Sequence, residues 1–159
     1  MNDYVATPQS TFNPSWRQRN RAIAKIFKIS KKDSILDLGC GSKDLLNYCK
    51  PKKYIGIDYN DIADIKINFN NEFTIPKYNW DFIVCSGLIE YLNNASYFLD
   101  QIKNNSETYV ITYKLKLTHI ENENKLTHAQ FKEVLIKHFE ITKTIDLKTN
   151  SIFICKDLK

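Results

Sequence analysis

The sequence predicts an α/β fold: a mostly parallel sheet of six to seven strands with helices on both faces and a C-terminal antiparallel hairpin. Two observations carry that prediction. Short apolar runs ending in an acid or a glycine alternate with amphipathic segments, the pattern of strands joined by crossover helices. From Leu126 the chain switches to a capped helix followed by two runs flanking a short polar turn. With 159 residues, 43% hydrophobic and 26% charged, the chain is long enough for one substantial core.

Residues 1–13 (MNDYVATPQSTFN) show no periodicity and are read as an N-terminal arm, a candidate lid, ahead of a single domain over 14–159. From Pro14, with Asn13 as cap, Trp16, Ile23, Ile26 and Phe27 fall at helical spacing. Ser34 to Leu38 is an apolar run stopped by glycine, a buried strand, and residues 43 to 50 then read as helix. Tyr54 to Asp58 is a second strand, Ile65 to Phe69 a short third and Trp80 to Cys85 a fourth. A helix follows from about Asn94 to Lys103, and Tyr109 to Tyr113 is the fifth strand. Thr127 and Gln130 have capping-box spacing at the head of a helix running to Lys137. Phe139 to Leu147 and Ser151 to Lys156 flank Lys148-Thr149-Asn150 as a hairpin. Between Asp58 and Asp64 there is no room for the usual crossover helix, so strand three is expected to be short.

Bulk properties narrow the function classes. No apolar stretch approaches the length of a membrane span, and the first twenty residues lack the apolar region of a secretory signal, so the expected location is cytoplasmic. Cys40, Cys49, Cys85 and Cys155 are dispersed without a Cys-x-x-Cys pair, which argues against a zinc site or a disulfide framework; no metal is expected. The net charge of +5 reads as scattered lysines apart from Arg17, Arg19 and Arg21, a balance compatible with nucleic acid without specifying it.

The chain has four glycines and spends two of them in Asp37-Leu38-Gly39-Cys40-Gly41, the turn after the first strand. Glycine there permits unusual dihedrals and close approach of a ligand, or a plain tight turn. A dinucleotide fingerprint would want glycine at position 44, where the chain has Asp44. Asp58, closing the next strand about twenty residues after Asp37, is placed to accept bonds from ribose hydroxyls. The turn thus suits a nucleoside better than a pyrophosphate.

These residues resemble the class I S-adenosylmethionine-dependent methyltransferases, in particular the small UbiE/MetW-like domains, whose fold is Rossmann-like. Asp37 to Ser42 is similar to their D-x-G-x-G motif, and Ile57-Asp58 to the acidic end of their second strand. Trp80 to Tyr91 resembles their fourth strand leading into L-x-E-[HY], and Leu126 to Cys155 their closing helix and hairpin. One departure is Lys43, where the family often has a third glycine.

The resemblance implies S-adenosylmethionine as cofactor. It places the backbone of Leu38, Gly39, Cys40 and Gly41 at the methionine portion, with Asp37 organising that end. Asp58 is expected at the ribose, Tyr59, Asn68 and Phe69 around the adenine, and Cys85, Ser86 and Gly87 as the floor near the sulfonium. Candidate bases for an oxygen or nitrogen acceptor are Glu90, Tyr91, His119 and Tyr4, the last on the arm and also a lid residue. The expected acceptor is a small molecule, glycan or lipid precursor. RNA or protein methylation, and a non-catalytic binding subunit, are the alternatives. The short polar connection 114–125 suggests an open site, suited to a group on a larger molecule or to help from a partner protein.

Overall fold

The computed structural model describes residues 14–116 and 124–159. In chain order the elements are α1 (Pro14–Phe27), β1 (Ser34–Leu38), β2 (Lys53–Asp58), β3 (Ile65–Lys66), β4 (Trp80–Cys85), α2 (Ala95–Ile102), β5 (Ser106–Lys114), α3 (His128–Leu135), β6 (Phe139–Asp146) and β7 (Asn150–Asp157). Short 3₁₀ turns cover Asp44–Asn47 and Ile89–Tyr91. The seven strands are ordered β3-β2-β1-β4-β5-β7-β6. β1 to β5 pair in parallel, while β7 runs antiparallel to both β5 and β6. The chain reverses direction on either side of β1, so β1, β2 and β4 converge at the switch point where such sheets bind ligands.

Alternation along the strands builds a core on each face of the sheet. Ile35, Val84, Val110 and Ile152 pack with Ile23 and Ala24 of α1 and Leu45 of the first 3₁₀ turn. On the other face Leu36, Leu38, Ile83, Cys85, Tyr109 and Ile111 meet Phe98 and Leu99 of α2 and Phe131 and Leu135 of α3. Helices therefore cover both faces, as expected. Local chemistry sets the helix starts: the Asn94 side chain accepts from Tyr97 N–H, and Thr127 and Gln130 form the full capping box. No described helix is long and apolar enough to cross a membrane.

β5 is longer than the expected Tyr109–Tyr113, spanning Ser106–Lys114, and two further elements differ from the sequence reading. Residues 43–50 form a single 3₁₀ turn at Asp44–Asn47 rather than a helix. The chain leaves Gly41 at one edge of the sheet and must reach Lys53, paired with Ser34 at the other edge. That is about 17 Å along five strand residues. An α-helix rises only about 1.5 Å per residue, so the eleven intervening residues would be consumed by the span with none left for turns. A tighter, longer-rising turn and an extended tail through Pro51 cover the distance.

The third strand is two residues long rather than five. It pairs Ile65 with Ile57 and Lys66 with Asp58, at the carboxyl edge of β2 alone. The chain therefore needs only to double back by about two residues, and no crossover helix is required. Asp64 fixes that return: its N–H donates to Gly56 C=O at 2.9 Å, and its Oδ2 accepts from Gly56 N–H at 2.8 Å.

Candidate active site

The turn after β1 is held from both sides by the end of β2. Gly39 and Cys40 N–H both donate to Ile57 C=O, at 2.8 and 3.2 Å. Gly41 N–H donates to Asp58 Oδ2 at 2.9 Å, and Gly41 C=O accepts from Asn60 Nδ2 at 3.0 Å. Asn60 N–H in turn donates to Asp58 Oδ1 at 3.2 Å. Asp58 thus stands half-buried against the loop that the sequence reading assigned to the cofactor.

The two glycines of that turn have separate causes. Both lie at positive φ, +74° for Gly39 and +53° for Gly41. A Cβ on Gly39 would come within 2.7 Å of Leu88 Cβ, so protein packing already takes that space. A Cβ on Gly41 would meet nothing within 4 Å among the described residues. Only Gly41 faces open space beside Asp58.

Lys43, where the resemblance expects glycine, keeps a glycine-like left-handed backbone at φ 60°. Its ammonium turns to Asp64 Oδ1 at 2.5 Å, so the side chain clips the turn to the β2–β3 return. The same aspartate that holds Gly56 therefore also anchors this loop.

Asp37 lies on the α1 face of the sheet and is buried. Its Oδ2 accepts from the Tyr54 hydroxyl at 2.7 Å. Burial pushes the carboxyl up to about 7, the Tyr54 hydrogen bond pulls it back, the Asp58 charge adds to the rise and Arg19 opposes it. Cys40 folds over β2: a Cβ on Gly56 would lie 2.8 Å from its sulfur. Burial drives the Cys40 and Cys85 thiols upward, so neither acts as a thiolate near neutral pH.

The floor beyond β4 belongs to α1. Arg19 is 5% exposed; its Nε donates to Ser86 Oγ at 2.7 Å and its Nη2 to Ser86 C=O at 3.3 Å. Ser86 Oγ donates to Asn20 Oδ1 at 3.1 Å, and Gly87 N–H to Thr112 Oγ1 at 2.9 Å. Gly87, at φ +76°, has no room for a side chain because a Cβ would lie 2.2 Å from Arg19 Nη2. Burial lowers the Arg19 pKa, and the charge of Glu90, itself 5% exposed, is the main opposing influence. The chain therefore buries a cation among Glu90, Asp37 and the Ser86-Gly87 floor.

Sequence reasoning assigned Arg19 only to a charge cluster. Its signal was present: Arg19, Ile23 and Ile26 share one helical face, whereas Arg17 and Arg21 lie on the other.

Of the sequence-predicted residues, the structure brings together Asp37, Leu38, Gly39, Cys40, Gly41, Asp58, Cys85, Ser86 and Gly87 at the carboxyl edges of β1, β2 and β4. Glu90 and Tyr91 follow in the 3₁₀ turn after β4. Tyr59 is exposed with Lys66 Nζ over its ring at 5.8 Å. Asn68 caps its own loop, accepting from Asn70 N–H at 3.0 Å. Phe69 is buried in an edge-to-face cluster with Phe73 and Phe98, at 5.0 and 5.4 Å, and serves the core. His119 and Tyr4 lie outside the described residues.

This sheet architecture is shared with known proteins. The methyltransferase domain family matches residues 14–139, and the chain belongs to that family. A S-adenosylmethionine-dependent methyltransferase from Aquifex aeolicus superposes with a TM-score of 0.70 at 15% identity, over 94% of this chain and 96% of that one. Magnesium protoporphyrin IX methyltransferase from Synechocystis PCC 6803, solved with bound S-adenosylhomocysteine, gives 0.65 at 11% identity, over 99% and 90%. A methyltransferase from Haloferax volcanii, solved with the Trm112 activator, gives 0.58 at 13% identity, over 91% and 97%. At these identities the superpositions show the fold, that of S-adenosylmethionine-dependent methyltransferases. No curated protein matches the sequence.

Proposed function

We propose that the chain transfers the methyl group of S-adenosylmethionine to an oxygen or nitrogen of a small molecule, glycan or lipid precursor. The observation that carries this reading is the Asp58–Gly41 corner: a strand-end carboxylate beside a left-handed glycine facing open space. Asp58 accepts two backbone N–H groups, one on each oxygen, and a carboxylate has about four acceptor positions. Two positions therefore remain for the paired hydroxyls of a ribose. Asp58 and Glu90 set negative charge around a sulfonium, and Arg19 supplies a cation beside the β4 floor for the methionine carboxylate.

The cofactor, when bound, supplies a methyl group already activated on sulfur. The protein's part is then to align the acceptor and exclude water. Tyr91, half-buried after β4, is the better placed of the two described base candidates, because Glu90 is buried and engaged electrostatically with Arg19. The names of similar structures support a small-molecule acceptor, magnesium protoporphyrin IX methyltransferase among them. The Haloferax complex supports a partner protein as a further element of such a site. RNA is the second reading, favoured by the outer face of α1.

The test is titration calorimetry with S-adenosylmethionine and S-adenosylhomocysteine. Wild type is expected to bind both, and Asp58→Ala to weaken both by about 100-fold, two charge-assisted hydrogen bonds at about 1.5 kcal/mol each. Equal affinities in wild type and variant refute the assignment of Asp58, and no binding by wild type refutes the enzyme reading.

A further inference from the structure

The net charge of +5, which reads as scattered along the sequence, has one address in the fold. Residues 14–32 contain seven of the 23 lysines and arginines and no acid, leaving 16 cations and 18 acids elsewhere, a net of −2. Helix α1 then sorts these cations by face. Arg19 turns inward onto Ser86, while Arg17, Arg21, Lys25 and Lys28 are exposed. Arg17, Arg21 and Lys25, four residues apart on the helix, make a row about 12 Å long, and Lys28 follows just past the helix end at φ 49°.

That row leads to the candidate active site. Arg19 reaches Ser86 just beyond β4, whereas Phe27 meets Phe82 near the start of the same strand at 5.3 Å between ring centroids. The helix therefore runs from the carboxyl edge of the sheet back to its amino edge. At the carboxyl end Pro14, Arg17, Gln18, Arg21 and Tyr48 line a surface concavity of about 410 Å³. Ligand sites commonly span about 300–1,000 Å³. Tyr48 is 37% exposed, an aromatic ring lining the same concavity as Arg17 and Arg21.

We propose that the outer face of α1 binds single-stranded nucleic acid, its phosphates along Arg17, Arg21, Lys25 and Lys28 and a base stacked on Tyr48. A row of cations with an interleaved aromatic is how sequence-tolerant single-strand binders track a backbone. A point-like anion would want converging cations rather than a row. A bilayer would want an apolar helix face to insert, and the apolar face of α1 is already spent on the sheet, with Ile23 fully buried. The inference goes beyond the methyl-transfer reading, and its test measures binding alone.

The experiment is fluorescence anisotropy of the full chain with labelled oligouridylate, from about 50 to 200 mM KCl. Four phosphate contacts predict a slope of about −2.8 for log K against log salt. Arg21→Glu/Lys25→Glu is expected to weaken binding at least tenfold and to flatten the slope by about 1.4. Should glutamate disturb the helix, as an altered melting temperature reveals, Arg21→Gln/Lys25→Gln is expected to flatten the slope equally. Tyr48→Ala is expected to cost about 5- to 100-fold with the slope unchanged.

The proposal is overturned if wild type does not bind at about 50 mM KCl, if the charge variants bind as wild type, or if Tyr48→Ala is silent. It is also overturned if phosphatidylserine vesicles bind in preference to the oligonucleotide. Calorimetry with S-adenosylhomocysteine on the same variants separates this outcome from failure of the enzyme reading.

Discussion

Replacing Gly87 by alanine tests whether the floor of the site is built around Arg19. The new methyl group would lie 2.2 Å from Arg19 Nη2 and 2.8 Å from Cζ, on a residue held at φ +76°. The left-handed backbone alone costs an alanine about 1–2 kcal/mol. Displacing the guanidinium adds the loss of its bonds to Ser86, about 1.5–3 kcal/mol for hydrogen bonds to a charged group. The expected destabilisation is about 2.5–5 kcal/mol, a large share of the roughly 5–15 kcal/mol that stabilises a typical domain. In an Arg19→Met background the clash is gone, and the same substitution should cost only the backbone part. Urea unfolding of the four proteins of this cycle measures the difference as a coupling of about 1.5–3 kcal/mol. Additive costs, within about 0.5 kcal/mol, would show that Gly87 is required by its dihedral alone and would refute the argument that Arg19 shapes the floor.

Further outcomes follow from the buried acid and the caps. The Asp37 carboxyl, pushed up to about 7 from 3.8, holds its proton more tightly in the native chain than in the unfolded one. Its contribution is therefore complete below about pH 4 and lost as the pH rises through about 7, some 4 kcal/mol in all at about 1.4 kcal/mol per pH unit. Asp37→Asn, whose side-chain oxygen still accepts from Tyr54, should remove that slope and be the more stable protein at about pH 8. Parallel urea midpoints for both proteins between about pH 5 and pH 8 would contradict this. Thr127→Ala breaks the capping box of α3, far from Asp58, and should cost about 1 kcal/mol without changing affinity for S-adenosylhomocysteine. A change in that affinity would tie α3 to the site.

What the sequence carries by itself is whatever neighbours along the chain decide. The edges of β1 and β4, the start of α2 near Asn94, the Thr127–Gln130 box and the hairpin around Lys148 are written in alternation, in capping side chains and in turn residues. The same local reading placed Asp37, Gly39, Gly41 and Asp58 at one corner, because strand ends and glycine turns are short-range signals.

The 43–50 segment escaped it. Whether those residues form a helix depends on how far apart the ends of β1 and β2 stand, a distance set by the sheet. The reasons for the glycines escaped it too: Gly39 answers to Leu88, Gly56 to Cys40 and Gly87 to Arg19, partners 16 to 68 residues away, while Gly41 alone of the four faces open space among the described residues.

Of three arginines in one short stretch only Arg19 becomes buried; helical spacing sets it on the face of Ile23 and Ile26, but not what that face meets. Which cation loses its water is decided by what the sheet sets opposite each turn of the helix, and that pairing is made by long-range contacts the linear order does not contain.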